Sequence, residues 1–91
     1  MRISKEKREK IAEQILSFLY TSFPKQPFTA EIAREIARDE EFVKSILLEL
    51  KEKSLVTSLH QNNQGISFSR RIRWRLPSKV YEIYNSKSNN L

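Results

Sequence analysis

The sequence predicts a small α+β domain built as a three-helix core, a β-hairpin and a C-terminal helix. Apolar residues recur at helical spacing in three segments before position 54. The period then switches from 3.6 to 2 over residues 55–76, and Pro77 opens one more amphipathic segment. With 91 residues and 38% hydrophobic content, the chain can close one core and not two. Residues 1–86 are therefore read as one domain, with 1–10 a charged start to the first helix and 87–91 a disordered tail.

In the first helix, Ile11, Ile15, Phe18 and Leu19 form a stripe that Ala12 and Leu16 widen, and the helix is expected to run to about Ser22. Its opening turns, Lys5 to Lys10, hold no apolar residue and are expected to project into solvent. Pro24 and Pro27 stop the helix and force an extended connection, in which Phe28 suits a short edge strand. Thr29 is the expected N-cap of a two-turn second helix with core contacts from Ile32 and Ile36. Asp39 is the N-cap of a third, whose face carries Val43, Ile46, Leu47 and Leu50 with Phe42 beside them.

Strand periodicity covers Leu55–Gln61 and Ile66–Leu76, joined by NNQG, which contains the chain's only glycine. In the second strand Ile66, Phe68, Arg70, Ile72, Trp74 and Leu76 share one face, and Ser67, Ser69, Arg71, Arg73 and Arg75 the other. Trp74 is thus expected to cover the core, with its indole N–H seeking an acceptor. Pro77 fits the first turn of the last helix, where Val80, Ile83 and Tyr84 lie together with Tyr81 adjacent.

The net charge is +6, and it is unevenly placed. Residues 1–53 carry 11 Lys+Arg against 10 Asp+Glu, whereas residues 54–91 carry 6 against 1. A local basic field of this kind suits a polyanion. The absence of cysteine excludes disulfides and thiolate metal sites, and a lone His60 makes no histidine cluster. No apolar run approaches the roughly 18 residues that span a bilayer, and the N-terminus lacks a signal-peptide profile, so a cytoplasmic protein without a membrane role is expected. There is no Gly-rich phosphate loop, nucleophile constellation or metal-ligand spacing, which argues against an enzyme and against any cofactor or metal.

The order helix, helix, helix, hairpin, helix, with a tight junction between the second and third helices, resembles the winged helix-turn-helix family. At residue level the resemblance is carried by Thr29, Ile32, Ala33 and Ile36, then Val43, Leu47, Leu50, Leu55 and Val56, then a hairpin ending in Trp74 and Leu76. It covers about residues 11–84 and is similar to the small one-domain regulators of archaea and their viruses. Two positions depart from the family pattern: Ser54, where glycine is usual before the hairpin, and Arg38, where an apolar residue is usual. The resemblance implies duplex DNA binding, sequence-nonspecific to moderately specific, by a transcriptional regulator or small chromatin-type protein. The third helix would enter the major groove and the wing would lie along the backbone or minor groove.

Carried onto this sequence, the groove-facing positions are Glu40, Glu41, Lys44, Ser45 and Leu48. The two glutamates are explained by the positive end of the helix dipole, although a carboxylate can also accept from cytosine N4. Leu48 is either part of a wide apolar stripe or a protein-facing spot. Arg71, Arg73 and Arg75 recur at strand period with Arg70 nearby, a row suited to clamping phosphate. The expected DNA-binding set is Arg70, Arg71, Arg73 and Arg75, with Lys44, Ser45 and Arg38 giving orientation and limited readout. The resemblance also implies a homodimer through the first and last helices, with Ile11, Ile15, Phe18, Val80 and Tyr84 as contacts. The alternative is a protein-interaction module that uses helix three.

Overall fold

A computed structural model describes residues 4–59 and 72–89. Four helices and two strands follow in the order α1 (Lys5–Ser22), α2 (Thr29–Ile36), α3 (Glu40–Glu52), β1 (Thr57–Leu59), β2 (Arg73–Arg75) and α4 (Ser78–Asn89). The expected turn at 62–65, His60, and Ile66 to Arg71, with Phe68, Arg70 and Arg71 among them, lie outside the described residues.

Capping fixes where the helices start. The Ser4 hydroxyl accepts from the Lys7 N–H and so opens α1, and the Asp39 carboxylate does the same for α3 through the Phe42 N–H at 3.1 Å. At α2 the expectation requires correction. Phe28, not Thr29, is the N-cap, and its backbone N–H donates to the Glu31 carboxylate at 2.9 Å. The Thr29 hydroxyl accepts the indole N–H of Trp74 at 2.7 Å. A buried indole must find an acceptor, and Thr29 is the one buried polar residue among those described, at 7% exposure.

Both α2 and α3 close with a left-handed residue that is not glycine. Ala37 has φ 57°, and the N–H groups of Ala37 and Arg38 return to the carbonyls of Arg34 and Ala33. Ser54 has φ 61°, and Ser54 and Leu55 bond back to Lys51 and Leu50 in the same way. Left-handed geometry costs an L-residue about 1–2 kcal/mol, which is why glycine suits the Ser54 position. These two turns set the angle of α3 against α2 and of the hairpin against α3.

The strands pair antiparallel with Ser58 opposite Trp74, flanked by Thr57–Arg75 and Leu59–Arg73. Phe28 adds the expected edge position as a bridge to Arg73, made by Thr29 N–H to Ile72 O and Trp74 N–H to Pro27 O. Ile11, Ile15, Leu19, Ile32, Val43 and Leu47 form the centre of the core, closed from the hairpin side by Val56, Trp74 and Leu76. The alternation expected for the second strand holds over residues 74–76, with Trp74 and Leu76 buried and Arg75 exposed, whereas Ile72 and Arg73 are both half-buried.

The C-terminal helix differs from expectation in three ways. It begins at Ser78, with the Tyr81 N–H bonded to the Pro77 carbonyl, so the proline sits just ahead of the first turn. It also continues through Asn89. Ile83, expected to pack with Val80, is 50% exposed.

The link between Thr29 and Trp74 sets a testable energy. Thr29→Val keeps the shape but leaves a buried indole N–H unpaired, and is expected to cost about 1–3 kcal/mol in denaturant unfolding. Adding Trp74→Phe should leave little further loss attributable to that bond, as a double-mutant cycle will read.

Candidate nucleic-acid interface

Helix geometry orders the exposed surface of α3. Val43, Ile46, Leu47 and Leu50 face the core. At about 100° per residue, the outermost ridge is therefore Glu41, Ser45, Leu48 and Glu52. All four are exposed, Leu48 at 45%. Leu48 thus stands on the outward ridge and is not an extension of the buried stripe. Lys44, half-buried, and Lys51, exposed, lie on one flank of that ridge. On the other flank are Phe42 and Glu49.

The second flank is covered from α1. The Arg8 guanidinium pairs with the Glu49 carboxylate and stands 5.5 Å from the centre of the Phe42 ring. The opening of α1 was expected to project into solvent, and at Arg8 this is corrected. A long side chain that finds both a carboxylate and a ring on the neighbouring helix docks there. The pair neutralises Glu49, whereas Glu41 and Glu52, at the ends of the ridge, form no ion pair among the described residues.

The Ser45 hydroxyl donates to the Phe42 carbonyl at 2.6 Å, which uses its one proton inside the helix. Arg38 is exposed and follows the left-handed Ala37. It lines, with Lys7, Lys10, Glu13 and Glu35, an open groove of about 1030 Å³ between α1 and the end of α2. That places Arg38 on the α1 side of the helix-turn-helix.

The arginine row divides. Arg73 is half-buried, its guanidinium 4.2 Å from the Phe28 ring centre, and its Nη1 donates to the Gln26 carbonyl at 3.1 Å. It serves as a clasp between β2 and the connection after α1. Arg75, two residues on and on the same face, is exposed. Arg70 and Arg71 lie outside the described residues. Strand alternation in the sequence puts Arg73 and Arg75 on one face but carries no sign that Phe28 and Gln26 would be waiting under Arg73.

At the opposite end of α1 an aromatic cluster is half open to solvent. Tyr20 lies 5.2 Å from Tyr81 and 5.6 Å from Tyr84 between ring centres, and Phe23 lies 4.3 Å from Tyr81. The Tyr20 hydroxyl donates to Asn85. Burial, and then the nearby Glu13 carboxylate, push the Tyr84 phenol above its ordinary pKa, so it stays protonated and uncharged at neutral pH. Phe23 is 50% exposed. The dimer contacts expected from the sequence are corrected here: Ile11, Ile15 and Val80 are buried within the chain's own core, and only Phe18 and Tyr84 keep accessible surface. Their stripes face inward because one stripe per helix is all that this small core can cover.

No family model and no curated protein matches the sequence. Solved structures do match its fold. The MepR–DNA complex of Staphylococcus aureus superposes with a TM-score of 0.69 at 21% identity, covering 93% of this chain and 69% of MepR. A ZitR variant from Lactococcus lactis gives 0.67 at 21% identity over 98% of this chain and 56% of its own. AF1382 from Archaeoglobus fulgidus gives 0.69 at 18% identity, covering 89% and 84%. The chain spans little more than half the length of that ZitR. The fold is a winged helix-turn-helix.

The two visible arginines should separate experimentally. Arg73→Ala is expected to lower stability by about 1 kcal/mol, through loss of the ring contact and the Gln26 bond. Arg75→Ala should stay within about 0.5 kcal/mol of the parent, as surface substitutions do. Urea midpoints of the two variants check this.

Proposed function

We propose that this chain binds duplex DNA as a winged-helix regulator or small chromatin-type protein, with backbone affinity supplied by the wing and α3 laid in the major groove. The observation that carries this reading is the charge asymmetry. Residues 54–91 hold five of the six net positive charges, and Arg75 stands exposed on the outward face of β2. Arg70 and Arg71 precede it in the sequence by a few residues. Guanidinium groups neutralise phosphates with bidentate bonds. Arg73 contributes by holding the base of the wing in place. Lys44 and Lys51, on one flank of α3, and Arg38 at the turn supply orienting contacts to the backbone. The complex of MepR with DNA, which shares the fold, supports the reading.

Anisotropy with a random duplex at two salt concentrations tests it. Binding should weaken steeply with salt, by about 0.9 log units per log salt for each phosphate neutralised. In Arg71→Ala/Arg75→Ala the slope should fall by roughly 2, because two contacts are lost without touching the Arg73 clasp. A parent protein that binds no duplex even at low salt would overturn the proposal.

The exposed aromatic face supports a homodimer. Phe23, Tyr81 and Tyr84 present partly open aromatic surface at the α1–α4 end. A two-fold dimer through this face would present two copies of α3 to half-sites about one DNA turn apart. Light scattering at micromolar concentration should give twice the chain mass, reverting to one in Phe23→Asp; a monomeric parent removes the dimer.

A second reading, a protein-interaction module using α3, is favoured by the exposed Leu48 between Glu41 and Glu52. The salt titration separates the two, since only the DNA reading requires binding to duplex.

A further inference from the structure

Resting on the DNA-binding reading, we infer that Glu41 and Leu48 determine sequence preference, selecting a cytosine and a thymine about three base steps apart in the major groove and rejecting guanine under Glu41. The ridge that α3 presents offers acceptors and methyl groups but no donor. Glu41 and Glu52 are exposed carboxylates for which no ion pair is formed among the described residues. The Ser45 proton is already given to the Phe42 carbonyl, and Leu48 is apolar. The carboxylate that would have confused this pattern, Glu49, is held by Arg8 on the flank.

Base edges differ in what they can give such a surface. Guanine shows two acceptors in the major groove, N7 and O6, and meets a carboxylate with repulsion. Adenine offers the N6 donor, but its N7 acceptor lies beside it and opposes the second carboxylate oxygen. Cytosine offers the N4 donor without a neighbouring acceptor on the same base, so it is the base a carboxylate accepts from best. The methyl group of thymine is the only apolar feature in the groove, and a leucine is its natural contact.

Spacing follows from the helix. Glu41 and Leu48 are seven residues apart on one ridge, about 10 Å along the axis at 1.5 Å per residue. Base pairs are stacked about 3.4 Å apart, which places the two contacts about three steps apart. The carboxylate lowers affinity for every duplex by repelling phosphate, and lowers it least where N4 meets it. Discrimination therefore comes from a repulsive element, while attraction is supplied by the wing.

The test is selection from duplexes randomised over a dozen base pairs, followed by anisotropy on the recovered site, with the full chain and with Glu41→Gln and Leu48→Ala. The parent should enrich the cytosine–thymine pair at that spacing and lose about tenfold when the cytosine is changed to guanine. Glutamine carries a donor beside its acceptor and pairs with adenine N6 and N7, so Glu41→Gln should move the preference at that position from cytosine to adenine while binding random duplex more tightly. Replacing the thymine by deoxyuridine removes one methyl and should cost the parent about fourfold and Leu48→Ala little. A change of base preference is not produced by loss of fold. If the parent binds all duplexes alike, or Glu41→Gln leaves the preference unmoved, the inference is overturned and the wing-based reading survives. If the parent binds no duplex, both fall together.

Discussion

The hydrogen bond from the Trp74 indole to the Thr29 hydroxyl joins the two parts on which everything else in this domain is mounted. Thr29 begins α2, and α2 carries α3 through a tight left-handed turn at Ala37. Trp74 is the centre of β2, whose backbone bonds to Pro27 and whose neighbours are the Arg73 clasp and the exposed Arg75. The largest side chain of the core is thus anchored by its polar edge to the helix-turn-helix and by its backbone to the hairpin. Because a buried indole N–H cannot be left without an acceptor, α2 and β2 keep one relative position. Any surface built from α3 and the wing inherits that geometry.

On this frame the two candidate contact surfaces carry opposite electrostatic characters. The hairpin segment is basic, and the outward ridge of α3 is acidic at its ends and apolar between them. Under the proposed DNA-binding reading, phosphate attraction falls to the wing and the repulsive, selective chemistry to the helix. Arg8 makes the division sharper by reaching from α1 to Glu49 and Phe42, so that one flank of α3 is neutral and closed. The Lys44 and Lys51 flank is left as the side from which a backbone can approach.

Much of the fold was legible because periodicity and punctuation survive in any single sequence. Asp39 and the switch of period after Ser54 marked boundaries that the structure keeps, and Trp74 turned inward as strand alternation required. Contacts between elements distant in sequence were not legible. Thr29 had the chemistry of a cap, and only the approach of Trp74, 45 residues later, gave its hydroxyl another use. Arg73 looked identical to Arg75 in alternation, yet Phe28 and the Gln26 carbonyl lie under one and not the other. Ile11, Ile15 and Val80 could not be assigned to an inner or an outer stripe until the helices were placed, and all three then lay in the core.

The position of Trp74 also gives the domain an internal optical probe. It is the chain's one tryptophan, it is almost wholly sheltered from solvent, and its ring nitrogen is tied to the first residue of α2. Emission excited at the red edge of the absorption band therefore comes from one place, the hinge between helix-turn-helix and wing, and from no average over the molecule. A blue-shifted spectrum signals that the hinge is closed and dry. Its movement to the red follows water reaching the indole, whatever the helices beyond it are doing.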